Sequence, residues 1–242
     1  MPTRDIGRLQ SIGLMLVMLV ALWLLVGCAG SPEDKSKQQS TPPVAGNFVG
    51  EAPDADALVA IISSGPEQEG DAEHEVRAYL CDGKTINEWF VGKASGNDLD
   101  LSSESGAARL KGTLTPETST GTITLADGRS LTFTANPATG VAGLYNVTVS
   151  NDGQLRGTSE TGGRIEGRLG TQEASGYYPI SGTLTPPGGG AQNFQASSTT
   201  AEAGDFRGIV LTADRIRGAS KGEGGGFISS GSLGGIEAGR SG

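Results

Sequence analysis

What most constrains this chain is a rhythm. Short runs of alternating apolar and polar residues are broken by turn residues about every ten positions. The clearest case is "TGTITLADGRSLTFTA" (120–135): β-branched alternation, Asp127-Gly128, then alternation again. Asp-Gly between two such runs favours the tight turn of a β-hairpin. "EVRAYLCDGK" (75–84) sets Val76, Ala78 and Leu80 against Arg77, Tyr79 and Cys81, then turns at Asp82-Gly83 into "INEWFVGKA" (86–94). "DLDLSS" (98–103) and "ARLKGTLT" (108–115) continue the pattern, while "ALVAIISS" (57–64) is a compact apolar strand. No window carries a sustained helical stripe outside the first 27 residues. Forty glycines and an aromatic share of 5% leave the core to Val, Ile, Leu and Ala. The expected class is all-β, an antiparallel meander forming a sandwich or a barrel with internal repeats.

The repeats can be aligned. "FTANPATGVAGLY" (133–145) matches "FQASSTTAEAGDF" (194–206) without gaps, and the same spacing brings "LRGTS" (155–159) onto "IRGAS" (216–220). "LKGTLTP" (110–116) matches "ISGTLTP" (180–186) at a longer spacing. "AGNF" (45–48), "AGLY" (142–145) and "AGDF" (203–206) each read as a strand start, with an aromatic for the core. Sheet units of this kind bury together what each alone cannot. The repeated units fall at about 110–159 and 180–220.

The first 27 residues read as a secretion signal. Arg4 and Arg8 form a positive start, and Ile12 to Val26 is apolar and uncharged. That run is shorter than a comfortable bilayer span. It ends in Leu25-Val26-Gly27-Cys28, which resembles the lipobox of bacterial lipoproteins. The resemblance implies that the Cys28 sulfur receives a diacylglycerol group, that the leader is cut before Cys28, and that the new amine takes a fatty acyl group such as palmitate. Two or more chains hold a protein durably at a membrane where one does not. Ala29, rather than Asp, follows the cysteine, and in two-membrane bacteria this resembles export to the outer membrane. Losing residues 1–27 would leave 16 basic and 26 acidic residues. Such an acidic chain is a poor match for nucleic acid or anionic head groups.

These features divide the chain into a signal peptide (1–27), a flexible tether (28–44), a β-domain (45–221) and a flexible Gly-rich tail (222–242). The tether "GSPEDKSKQQSTPP" is polar and aperiodic, and the tail "GEGGGFISSGSLGGIEAGRSG" is too rich in glycine to hold strands firmly.

A second resemblance covers about residues 45 to 159. "AYLCDG" (78–83), "EW" (88–89), "SGAARLKGTL" (105–114) and "TGTITLADGRSLTFTANPATGVAGLY" (120–145) are similar to an extracellular β-domain of secreted or membrane-anchored bacterial proteins. That family implies a fold and an address, not an activity.

Residues with chemistry are sparse. His74, the single histidine, sits in "EGDAEHEVR" and reads as a solvated loop residue. With Cys28 lipidated, Cys81 has no partner for an internal disulfide and reads as a small buried hydrophobe. Asp54 with Asp56, and Asp98 with Asp100, are alternate carboxylates that read as solvated strand faces rather than calcium or acid–base pairs. Asp82 and Asp127 are turn residues. No phosphate-binding motif is present, and the sequon "NVT" (146–148) falls inside an expected strand. Trp89 and Phe90 occupy opposite faces of one strand; they are the candidate binding residues, one for the core and one for sugar or peptide contact.

The pattern points to no catalytic residues, no metal and no cofactor. The expected function is a lipid-anchored, extracytoplasmic, non-catalytic binding or structural module of the bacterial cell envelope. Its partners would be the membrane, through the lipid, and an envelope protein or glycan. The alternative is a β-barrel carrier of a small apolar ligand.

Overall fold

The computed structural model describes residues 42–68, 71–220 and 226–233. The leader, Cys28, most of the tether, Lys221 at the end of the expected β-domain, and positions 222–225 and 234–242 of the tail lie outside them. The described chain is all-β and antiparallel, and it closes into two eight-stranded barrels.

The first barrel is a plain meander. Its strands are β1 (Gly46–Ala52), β2 (Ala57–Ser63), β3 (Glu73–Cys81), β4 (Asn87–Ser95), β5 (Asp98–Ser103), β6 (Arg109–Leu114), β7 (Ser119–Thr124) and β8 (Ser130–Pro137). Each pairs with the next, and β8 returns to β1 with Val49 opposite Asn136 and Glu51 opposite Thr134. Closure removes the free edges that would otherwise recruit another chain. Period-2 alternation sends one face of every strand inward, and an eight-stranded ring is just wide enough for those side chains to fill it. Phe48, Val59, Ile61, Val76, Leu80, Phe90, Leu101, Leu110, Leu114, Ile123 and Phe133 form that filling.

The second barrel takes a different path. Its strands are β9 (Gly143–Val149), β10 (Gln154–Ser159), β11 (Arg164–Leu169), β12 (Tyr178–Thr185), β13 (Gln192–Ser198), β14 (Gly204–Leu211), β15 (Ile216–Ser220) and β16 (Gly226–Leu233). After β13 the chain leaves its neighbour and β14 pairs with β9; β15 and β16 then turn back to fill the gap, β16 against β13. β15 joins β16 through Gly218–Ile228 and Ser220–Gly226. Tyr145, Val147, Leu155, Ile165, Ile180, Leu184, Phe194, Phe206 and Ile209 fill this ring.

Residues 226–233, expected in a flexible tail, are therefore β16. Their glycines weaken intrinsic strand preference, but the open edge of β13 supplies the pairing that local sequence lacks. Val44, expected in the tether, is buried at the mouth of the first barrel, where its carbonyl accepts the Ser63 hydroxyl.

The two rings share a common half. Paired Gly112 and Gly121 on β6 and β7 lie under Phe133 of β8; paired Gly167 and Gly182 on β11 and β12 lie under Phe194 of β13. A Cβ at Gly121 would fall 2.1 Å from the Lys111 carbonyl and 2.8 Å from Phe133, and one at Gly182 would fall 2.1 Å from the Glu166 carbonyl and 2.7 Å from Phe194. The aromatic ring covers the backbone that the glycines leave bare. The preceding hairpins match as well. Ser103 Oγ accepts from the Ala108 N–H at 2.9 Å, and Ser159 Oγ accepts from the Gly163 N–H at 2.9 Å. Thus β5–β8 correspond to β10–β13. The gapless sequence alignment joins Phe133 to Phe194 at equivalent places, but it joins β9 to β14 and β10 to β15, which are not equivalent. Likewise "LKGTLTP" lies on β6, whose counterpart is β11, while "ISGTLTP" lies on β12. Gly-Thr strands look alike in any ring position; pairing decides the position.

Candidate functional site: the seam between the barrels

The apolar run of β2 is buried on both faces, which explains why it does not alternate. Val59 and Ile61 point into the first barrel, while Leu58, Ala60 and Ile62 point out of it. Out there they join Val49, Tyr79 and Cys81, and they meet Ala142, Leu144 and Val210 of the second barrel and its approach. Leu58, Tyr79 and Val210 are all fully buried.

Aromatics and glycine shape the centre. The Tyr79 and Trp89 rings lie 4.6 Å apart, tilted by 34°. A bulge in β14 places Gly208, at φ +83°, against both rings; a Cβ there would come within 2.8 Å of Tyr79 and 2.9 Å of Trp89. The bulge also swings the Arg207 guanidinium over Trp89, 5.1 Å from the ring centroid. So Trp89 belongs to the seam, with its Nε1 buried and unpartnered among the described residues. Phe90 fills the lumen of the first barrel.

Ion pairs flank this core. Arg77 of the first barrel meets Glu160 of the second at 3.3 Å, and Arg207 of the second meets Glu104 of the first at 3.7 Å. Glu104 and Glu160 stand in the matched hairpins, so the two pairs are reciprocal. At the other side Arg215 donates to Glu51 at 2.7 Å and to Asp56, and Arg217 reaches Asp56 at 3.5 Å. Burial works to raise the Asp56 carboxyl, but the hydrogen bond and charge of Arg215, with Arg217, hold it below the usual carboxylate range.

Next to this clasp the barrels leave a cleft of about 560 Å3. Its floor is the outer face of β1 and β8, with Val49, Glu51, Thr132, Thr134 and Asn136; its wall is the β14–β15 turn, Thr212 to Asp214. Pro53, Thr139 and Ala142 close the sides.

The other sequence candidates settle as follows. His74 does not lie in a solvated loop. It points into the first barrel in phase with Val76, Ala78 and Leu80, is 2% exposed, and both ring nitrogens are unpartnered among the described residues. Burial pushes its pKa below the ordinary histidine value. A cleft of about 410 Å3 beside it carries Glu67, Asp71, Glu73, Glu75 and Lys93. Cys81 is buried in the seam, and that burial pushes its thiol up. Asp82 accepts the N–H groups of Lys84, Thr85 and Ile86 at 2.7, 2.8 and 2.9 Å. Burial raises its carboxyl, and those bonds more than reverse the effect. Asp54 accepts from Thr132, and Asp100 holds Arg109 at 2.6 Å and Lys111 at 3.5 Å. Among the described residues, no group of three His, Cys, Asp or Glu is arranged to hold a metal ion, and no helix is long and apolar enough to cross a membrane.

In class the chain is a tandem of two antiparallel β-barrels joined by an apolar seam. Comparison with protein-family models, with curated proteins and with solved structures finds no match.

Proposed function

We propose that this chain is a lipid-anchored, extracytoplasmic binding or structural module of the bacterial cell envelope. The observation that carries the proposal is Leu25-Val26-Gly27-Cys28, directly after an apolar run that follows Arg4 and Arg8. A thioether-linked diacylglycerol on Cys28, with acylation of its amine, supplies the two or more chains that durable membrane attachment requires. From Cys28 to Gly46 the chain can reach at most ~3.5 Å per residue, enough to stand the barrels clear of the head groups. Two closed barrels that meet at an apolar seam leave their polar outer faces available to a partner.

Cys28→Ala tests the anchor. In the native host the variant should lose incorporation of radiolabelled palmitate and either leave the membrane fraction or accumulate with its leader uncut. Unchanged acylation and processing would remove the anchor from the proposal. Crosslinking in intact cells tests the module: specific adducts from the barrel surface support it.

The small-ligand carrier is the second reading. A barrel fold is compatible with it, and the cleft beside the seam is the feature that favours it, since ligand sites concentrate at domain interfaces.

A further inference from the structure

We propose that the cleft between the β1–β8 face and the β14–β15 turn binds a neutral polyhydroxylated ligand, a saccharide unit of a glycan. The inference rests on the reading of the chain as a binding module and is independent of the lipid anchor. A volume of about 560 Å3 falls within the range of small-molecule sites.

The lining decides the class of ligand. Thr134 and Asn136 project from one face of β8, and Thr139 follows on the linker. Among the described residues, none of these three side chains spends a hydrogen bond on another protein group. Each hydroxyl and the amide can both donate and accept, the pairing that vicinal sugar hydroxyls offer in return. The charged groups are already engaged. Glu51 is held by Arg215 at 2.7 Å, Asp214 accepts the Thr212 hydroxyl at 3.1 Å, and nearby Asp54 accepts the Thr132 hydroxyl at 3.1 Å. An anion would meet those carboxylates. A cation would have to compete with Arg215, which occupies Glu51. A neutral donor–acceptor ligand meets neither cost. Val49, Pro53, Pro137 and Ala142 supply apolar surface for the C–H face of a sugar ring.

The walls are prepared before any ligand arrives. Arg215 ties the β14–β15 turn to Glu51 and Asp56 of the first barrel, and its own N–H donates to Thr212 at 3.2 Å. Fixed walls lower the ordering cost of binding.

The test is calorimetric titration of the full chain, held in a sugar-free zwitterionic detergent, with maltose, cellobiose and chitobiose. A hexuronic acid disaccharide and glucosamine serve as charged controls. At least one neutral disaccharide should bind in the millimolar range or tighter. Thr134→Val combined with Asn136→Ala should weaken it by about tenfold or more. Thr113→Val, on the outer face of β6 and two strands away from β8, should leave it unchanged. Thr139→Val alone provides a second variant if the double variant melts differently. The proposal falls if no neutral disaccharide gives a saturable heat, if a charged control binds more tightly, or if the cleft variants bind like the parent. Protein adducts found by crosslinking while all sugars fail would keep the binding module and discard the saccharide site.

Discussion

In the first barrel the chain walks round the ring in order, from β1 to β8. In the second, β14, β15 and β16 come last and turn back to occupy the places between β9 and β13. The halves that match, β5–β8 and β10–β13, keep the same hairpin, the same paired glycines and the same covering phenylalanine. The difference teaches that a ring position is set by pairing and interior fit, not by order along the chain. It also explains the asymmetry of the seam. The first barrel offers the outer faces of β1 to β4, and the second answers with β9 and β14, which became neighbours through the altered path.

The sharpest way to break the comparison is at the glycine pairs. Gly121→Val and Gly182→Val should each cost about 3 kcal/mol or more, because new atoms must displace backbone at a site with no room. Similar losses in urea unfolding would support equivalent kernels; a tolerated substitution in one barrel would show that the kernels differ.

The seam comes next. Leu58→Ala removes a fully buried side chain between the barrels and should cost roughly 2–5 kcal/mol. Gly208→Ala adds strain at φ +83° and a clash with the aromatic pair. Either variant should split one calorimetric transition into two. A single sharp transition at the parent temperature would contradict the account of the seam.

Acid distinguishes the barrels more gently. The folded pKa of His74 lies below the unfolded value of about 6.5, so the unfolded chain binds more protons as pH falls. The stabilisation from neutral His74 is complete above pH ~6.5 and is lost as pH drops towards the folded pKa, by at most ~1.4 kcal/mol per pH unit. The second barrel holds no histidine. His74→Phe should therefore flatten the stability profile between pH 6.5 and 5. An unchanged slope would mean that the imidazole is not the sensor.

The smallest effect belongs to the reciprocal ion pairs. Glu104→Gln and Glu160→Gln should each change stability by under about 1 kcal/mol, since both partners are about half exposed. Arg207→Ala should exceed either, because it also strips the guanidinium from Trp89. Thermal melts at low and high salt separate the two contributions.

Much of the fold was legible. Alternation placed the strands, Asp82 and Asp127 marked their turns, and Phe133 aligned with Phe194. Even the inward place of His74 was written in the sequence, in phase with Val76, Ala78 and Leu80, although its acidic neighbours suggested a loop. The unbroken apolar run of β2 was the available sign of a strand buried on both faces. The cleft carried no comparable signal, since its lining comes from three separated stretches of chain.

The sequence by itself determined the strands, their two faces and their turns, because side-chain period and turn chemistry act over a few residues. It also placed Trp89 and Phe90 on opposite faces, without saying which face was core. Only the tertiary structure decided that two rings close, that β16 completes the second, and that Trp89 lies between them. Those outcomes depend on which distant edges pair and which outer faces lose water together, and no single strand contains that information.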